Sequence, residues 1–220
     1  MKHYPTRDAL AAAVYAAEES DGTVVRTQFV KNNKIYKPNR EILLYQLENG
    51  LPAITDLHFA TADKILPALN HSILMKTLKK GGVKEYVAQT KELLEQETIS
   101  ARQIGHICWA PHMYAKQVEE NRAAELLSTY GPGSIYVGFM NKNIETEFNL
   151  ISYRYLRDLS RYAVLGHNTA GDLIQYSAKN KEQVITKGLI KGRVYKHETN
   201  KYYNGYRVTC LNYVKELKDD

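Results

Sequence analysis

The chain has 220 residues, 44% of them hydrophobic and 25% charged, which is typical of a soluble globular protein. No stretch approaches the roughly 18 consecutive apolar residues that a membrane helix needs, and two cysteines are too few for a disulfide framework. The formal net charge of +6, with a pI of about 9.1, favours an acidic partner. We therefore expect a cytoplasmic protein with no membrane partner.

Residues 1–130 are predicted to be mainly helical, because their apolar residues recur about every 3.6 positions. An Ala-rich helix is expected over 8–20, with Thr6 or Asp8 as its cap. The β-branched stretch 23–36 is ambiguous and is compatible with a small hairpin. Further helices are expected over 40–48, 61–80, 83–97 and 101–109, and from Pro111 to about residue 130.

Gly131-Pro132-Gly133 marks a change from helical to alternating periodicity, so we place a domain boundary between 1–130 and 131–220. The last two strands are predicted within 187–216, joined at Asn204-Gly205, a dipeptide that favours a type I′ hairpin turn. The earlier elements are predicted to be strands at 134–140 and 146–156, an interrupted third strand at 161–165 and 172–178, and a polar connector at 179–186.

Five strands with a connector between the third and fourth have the element order of an OB-fold, a small Greek-key barrel. The predicted fold class is therefore α+β, with a helical N-terminal region followed by a five-stranded OB-like β-barrel. Residues 131–220 also contain 14 Lys and Arg, nine Asp and Glu, and ten of the 17 tyrosines. A basic, Tyr-rich β domain suits a polyanion whose bases can stack. The alternative is that Tyr is simply a good strand residue and Lys protects exposed strand edges.

Three segments carry a resemblance to a known family: GSIYVGFMNK, YAVLGHNTAGDLIQYSA and KGLIKGRVYKHE…NGYRVTCLNYV. They resemble successive strands of OB-fold single-stranded-DNA-binding domains, closest to those of small phage replication proteins. The family pattern KG-x-I-x-G-x-V is matched by Lys187, Gly188, Ile190, Gly192 and Val194. The resemblance implies DNA binding with little sequence specificity in phage replication or recombination, replication proteins as partners, and neither enzymatic activity nor a cofactor. The short C-terminal KELKDD differs from the long acidic tail of compact bacterial members, which docks partners.

Binding would use aromatic stacking on bases and Lys or Arg contacts to phosphates, on the face of strands two and three and the loops joining strands 1–2 and 4–5. RNA is not excluded, because stacking platforms accept both polymers. Each tyrosine has packing inside the sheet as its alternative role. The candidate residues are Tyr153, Arg154, Tyr155, Arg157, Tyr176, Lys191, Arg193, Tyr195, Lys201, Tyr202 and Tyr203.

Two other function classes stay open. Leu165-Gly166-His167, followed by Tyr176, resembles the LGH…Y end of tyrosine recombinases, which implies a Tyr176 nucleophile assisted by His167. In that family the motif is helical, whereas GHNTAGDL here is predicted to be a turn between strands. The third class is a protein-interaction module that does not bind nucleic acid.

The segment HICWAPH places His106, Cys108 and His112 close together in the sequence. A strong zinc motif would show two pairs of ligands. A packed helix end anchored by Trp109 is the favoured interpretation, and no metal is expected.

Overall fold

The computed structural model describes residues 2–78, 85–200 and 204–217, and the chain divides into two compact units, Met1–Glu119 and Glu120–Asp220. The fold class is α+β, with helices first and a closed five-stranded mixed barrel after them. This confirms the predicted class, while the domain boundary after residue 130 stays a prediction. Among the described residues, no helix combines the length and apolar character that crossing a bilayer requires.

The first unit is built around an alanine-rich helix whose alanines are largely buried. Its helices are α1 (Thr6–Glu19), α2 (Asn39–Glu48), α3 (Asp56–Leu78), α4 (Glu85–Leu94) and the short α5 (Ile104–Ile107). Its strands form two small antiparallel pairs: β1 (His3–Pro5) with β4 (Thr98–Ser100), and β2 (Phe29–Lys31) with β3 (Lys34–Tyr36). The alanines of α1 allow α2 and α3 to pack closely against it, since Ala carries no side chain beyond Cβ. The small hairpin with which residues 23–36 are compatible is present as the β2–β3 pair.

Three details of the predicted helices are wrong. No side-chain hydrogen bond caps α1, because Thr6 Oγ1 instead donates to the carbonyl of Gln96 at 2.5 Å. The helix predicted from residue 61 starts earlier, at Asp56, where the His58 ring accepts a hydrogen bond from the amide of Thr55 at 2.9 Å. The helix predicted over 101–109 is reduced to α5, because residues 101–103 form a turn.

Helix α6 (Ala110–Tyr130) contains the point at which the two units divide. Five strands follow it, and they are β5 (Asn143–Leu156), β6 (Arg161–His167), β7 (Leu173–Ala178), β8 (Lys187–Asn200) and β9 (Tyr206–Leu217). They close in the order β5-β6-β7-β9-β8, with β8 pairing back onto β5. Only the β7–β9 pair is parallel. This first-second-third-fifth-fourth order is compatible with an OB-like barrel.

The barrel closes because β5 pairs with two neighbours. Its first half pairs with β8 and its second half with β6; the pairing changes at Asn149, and a β-bulge between Leu150 and Ser152 follows within the β5–β6 ladder. Asn204 and Gly205 do lie in a turn, with the positive φ values of 54° and 77° that a type I′ turn needs. The β8–β9 ladder ends at the pair Asn200 and Tyr206, so the connection is longer than the predicted two-residue hairpin.

The first predicted strand, 134–140, is wrong, because its backbone donors are taken by side chains rather than by a neighbouring strand. The amide of Ile135 donates to Asp172 Oδ1 at 3.0 Å, and that of Val137 donates to Thr209 Oγ1 at 2.8 Å. The predicted interrupted third strand is in fact two strands, β6 and β7. The count of five therefore holds, but the strand predicted as the second is the first strand of the barrel.

Two apolar clusters lie on opposite faces of the barrel wall. The inner cluster fills the barrel with buried side chains that include Phe148, Val164, Ile174 and Leu211. The outer cluster is formed by Ile151, Leu165, Leu173, Val208 and Cys210, and the second half of α6 packs on it through Ala123, Leu126, Leu127 and Tyr130. Helix α6 therefore covers part of the outer surface of β6 and β7, the strands that carry the binding face in OB-folds.

Candidate nucleic-acid interface

The outer surface of β5, β6 and β7 beyond α6 is exposed and basic. The strand register places Arg154, Ala163 and Ser177 side by side in one row, because Arg154 pairs with Ala163 and Ala163 pairs with Ser177. Arg161 begins β6 and Lys179 directly follows β7. We call these five residues the open face. The Ala and Ser side chains are short, so the arginines and the lysine dominate its chemistry.

A groove with a cavity volume of about 700 Å³ lies beside the open face. Tyr213 lies on its wall, 80% exposed, with a φ of 57° that places a bulky residue in the left-handed region. Lys215 adds another cation to the groove. Glu182 and Glu216 are the carboxylates among the described residues that line the groove. An exposed ring beside cations is the combination that stacks a base and holds its phosphate.

The cations here have no competing carboxylate partner. In the described part of the chain, Arg154, Arg161, Lys179 and Lys215 form no ion pair. All four residues are exposed to solvent. Their positive charge is therefore available to a ligand.

Arg157 extends this basic surface towards the loop between β5 and β6. It begins a single 3-10 turn, Arg157–Leu159, and is exposed. Arg154, Arg157 and Arg161 thus lie within eight successive positions around the end of β5. The predicted Arg154 and Arg157 are both part of the basic region.

The predicted tyrosines of β5 and β7 point into the barrel. Tyr153 pairs with Val164, and Val164 pairs with Tyr176, so the three share the inner face. The bulge at Ile151 causes this, since one extra residue shifts the alternation and turns Tyr153 and Tyr155 towards the side of Phe148. Alternation without a bulge would place Tyr153 and Tyr155 on the face opposite Phe148.

These tyrosines differ in exposure. Tyr176 is 3% exposed, its hydroxyl accepts a hydrogen bond from the amide of Ile185 at 2.8 Å, and burial raises the pKa of that hydroxyl. Tyr153 is half-buried and contacts the inner cluster. Tyr155 is 48% exposed, with its ring centroid 5.0 Å from that of Tyr162. Of the three, Tyr155 has the most accessible ring.

The predicted residues of β8 lie on another part of the barrel. Lys191 Nζ contacts Glu145 Oε1 at 2.6 Å, and Arg193 donates to Asn141 Oδ1 at 3.3 Å. On one side both pair with the first half of β5, and on the other side they pair with β9, where Lys191 lies opposite Lys215 and Arg193 opposite Asn212 of the groove. Tyr195 is 42% exposed at an irregularity in the β8–β9 ladder. Lys201, Tyr202 and Tyr203 lie outside the described residues.

Sequence reasoning missed four residues of this region: Arg161, Lys179, Tyr213 and Lys215. The alternation within β6 carries the signal for Arg161, because Arg161 and Ala163 are two positions apart and alternate with Tyr162 and Val164. The local sequence pattern does not indicate Tyr213, because the direction of its side chain depends on a left-handed backbone conformation at this residue.

The recombinase pair is not brought together. His167 is on the outer face, where its ring stacks on Tyr130 with centroids 3.8 Å apart. Tyr176 is on the inner face of the neighbouring strand. A nucleophile needs access to its phosphodiester, and burial gives Tyr176 the opposite environment.

His106, Cys108 and His112, considered above as possible zinc ligands, do not form a metal site in the described structure. Cys108 is buried, and burial raises the pKa of its thiol to about 12. Within the described ranges, no three His, Cys, Asp or Glu side chains come together as a metal site would need.

Comparisons with models of protein families, with curated proteins and with solved structures found no match for this chain.

Proposed function

We propose that the barrel binds single-stranded DNA along the open face and the adjoining groove, with little sequence specificity. The observation that carries the proposal is the set of four cations, Arg154, Arg161, Lys179 and Lys215, which are exposed and form no ion pair in the described part of the chain. Each cation contributes by releasing counterions from a phosphate. On the sequence resemblance, we place this activity in phage DNA replication or recombination in the host cytoplasm, with replication proteins as partners.

The groove supports a single strand rather than a duplex. Its exposed Tyr213 ring offers a flat face to an unpaired base, and base–aromatic stacking contributes about 1–3 kcal/mol per base. A duplex hides its bases in the stack, so it would use the cations but not the ring. Tyr155, which is 48% exposed at the end of β5, is a further accessible ring but does not line this groove.

The cover formed by α6 limits the length of the site. Because the outer surface of β6 and β7 around Leu165 and Leu173 is packed against that helix, a strand reaches these two strands only at the open face and the adjoining groove. We therefore expect a short site, near the lower end of the roughly 4–16 nucleotides that an OB-fold occupies.

Salt dependence gives the proposal a quantitative form. Four phosphate contacts predict a slope of log K against log salt of about −3, since each contact on a single strand contributes about −0.7. Removing three of the cations should reduce the slope to about −1.

The test is a fluorescence-anisotropy titration of a labelled oligothymidine of about 15 nucleotides at several salt concentrations. The variant is the triple substitution Arg154→Ala, Arg161→Ala and Lys179→Ala. The matched control removes three exposed cations that neither belong to the open face nor line the groove, by Lys142→Ala, Lys196→Ala and Arg207→Ala. A matched oligouridine compares RNA with DNA.

We expect the open-face variant to bind weakly with the shallow slope, and the control variant to bind nearly as the unmodified protein does. Absence of binding at low salt, or a loss confined to the control variant, would overturn the proposal.

A further inference from the structure

A second basic cavity lies in the first unit, and none of the residues proposed to bind DNA lines it. Its volume is about 660 Å³, within the range of roughly 300–1,000 Å³ for small-molecule sites. Three arginines, Arg26, Arg40 and Arg102, line it together with His106, and Trp109 and Tyr86 supply aromatic walls. No carboxylate is among its described lining residues. Most protein surfaces mix both signs of charge, so this composition indicates an anionic ligand.

The arginines of this cavity retain hydrogen-bond donors for a ligand. None of them forms an ion pair with a carboxylate in the portion of the chain that the structure describes. Arg40 Nη2 donates to the carbonyl of Ala101 at 3.4 Å, which orients its guanidinium and uses one of five donors. Guanidinium groups hold phosphate oxygens in pairs, so three of them suit a group with several negative charges.

The aromatic side chains that line the cavity favour a ligand with a flat ring. The Arg26 guanidinium carbon lies 5.4 Å from the centroid of the Trp109 ring, and the Tyr86 ring centroid is 6.4 Å from it. A planar group that enters the cavity meets both rings and the planar guanidinium. Arginine planes and aromatic rings are the surfaces on which nucleobases stack.

The local fold holds this wall in place. Ile104 and Ile107 of α5 are completely buried and anchor the helix to the core. Gln103 Oε1 accepts hydrogen bonds from the amide and hydroxyl of Ser100, at 2.9 Å and 2.8 Å, and so fixes the turn that carries Arg102. The cavity is therefore formed before any ligand binds.

From these features we propose that this cavity binds a nucleoside phosphate, with the phosphates on the arginines and the base against Trp109. A carboxylate ligand would supply too little charge for three guanidinium groups, and inorganic phosphate would leave the aromatic wall unused. The same chemistry has two sources, a free nucleotide or the phosphorylated end of a DNA strand. The proposal does not depend on the open face.

Trp109 makes the site directly observable, because it is the chain's one tryptophan. ATP, AMP, adenosine and a dinucleotide with or without a 5′-phosphate are titrated into the full chain, with tryptophan fluorescence as the readout and calorimetry as a second measurement. We expect saturable binding of ATP, at least tenfold weaker binding of adenosine, and roughly tenfold weaker binding of ATP after Arg102→Ala. Tighter binding of the 5′-phosphorylated dinucleotide than of ATP would identify a strand end as the source.

Gly105 provides a variant that blocks the cavity without removing charge. A Cβ added there meets no atom within 4 Å, so Gly105→Leu has room for its side chain on the cavity side and should leave the fold intact. We expect it to abolish ATP binding, whereas Lys64→Ala, which removes an exposed cation of the first unit outside the cavity, should leave ATP binding unchanged. Lack of ATP binding, equal binding of adenosine and ATP, or normal binding by Gly105→Leu would overturn the proposal. Failure of oligonucleotide binding at the open face would not change these results.

Discussion

Gly166 provides a sharp test of the barrel interior. It faces inwards on β6, and an added Cβ would lie 2.3 Å from Phe148 Cζ and 2.4 Å from the carbonyl oxygen of Asn149. Contacts below about 3 Å are not tolerated, so the ring and the β5 backbone must both move. Phe148 is completely buried and has no free space to enter.

The expected cost of Gly166→Ala is about 3 kcal/mol, at the upper end of the roughly 1–3 kcal/mol for overpacking, because one of the two clashes is with backbone. Hydrogen exchange of barrel peptides measures this loss separately from the first unit. Gly133→Ala is the matched control, since its added Cβ meets no atom within 4 Å. The control should change stability by less than about 0.5 kcal/mol.

Combining Gly166→Ala with Phe148→Leu removes the clash with the ring but leaves the one with the Asn149 carbonyl. The two substitutions should therefore couple favourably, by about 0.5–3 kcal/mol in a double-mutant cycle. A Gly166→Ala protein as stable as the unmodified chain, or a cycle without coupling, would refute this packing of the barrel.

Two further predictions concern buried polar groups. Asp172→Ala removes the acceptor of the Ile135 amide, whose nitrogen lies 3.0 Å from Asp172 Oδ1. The barrel should therefore lose about 1–3 kcal/mol of unfolding free energy, and the amides of residues 134–137 should exchange hydrogen faster. Unchanged exchange at these amides would contradict the role of Asp172. Burial raises the pKa of the Cys108 thiol from 9.0 to about 12, so the folded state keeps a proton that the unfolded chain releases. That contribution is complete below the unfolded pKa and is lost as the pH rises towards the folded value. Urea midpoints should fall above pH about 9, and less so in Cys108→Ala; equal pH profiles for the two proteins would contradict the burial argument.

The parts of the fold that local chemistry specifies were predictable. Asn204-Gly205 adopts the positive φ values that its turn needs, and the Ala-rich stretch forms α1. The error at 134–140 has a different origin. Its alternation of Ile135, Val137 and Phe139 is that of a strand, but pairing depends on a partner elsewhere in the chain. Here β8 pairs with the first half of β5, and the 134–140 segment is held by side chains instead.

The candidate site was predictable only in part, and one bulge accounts for much of the difference. Alternation assigns Tyr153 and Tyr155 to the face opposite Phe148, but the extra residue at Ile151 reverses the assignment. A sequence shows no mark of such a bulge, because it results from fitting β5 to two neighbours. The cover of α6 over Leu165 and Leu173 is equally invisible, since it depends on where a distant helix packs.

The most direct test of the central claim is to locate the bound strand on the protein. Backbone amide shifts of isotope-labelled protein are followed as a short oligothymidine is added. We predict that the largest changes fall in residues 157–163 and 177–179, with smaller ones near Tyr213. Changes concentrated around Lys142, Lys196 and Arg207, or confined to residues 1–119, would contradict binding at the open face.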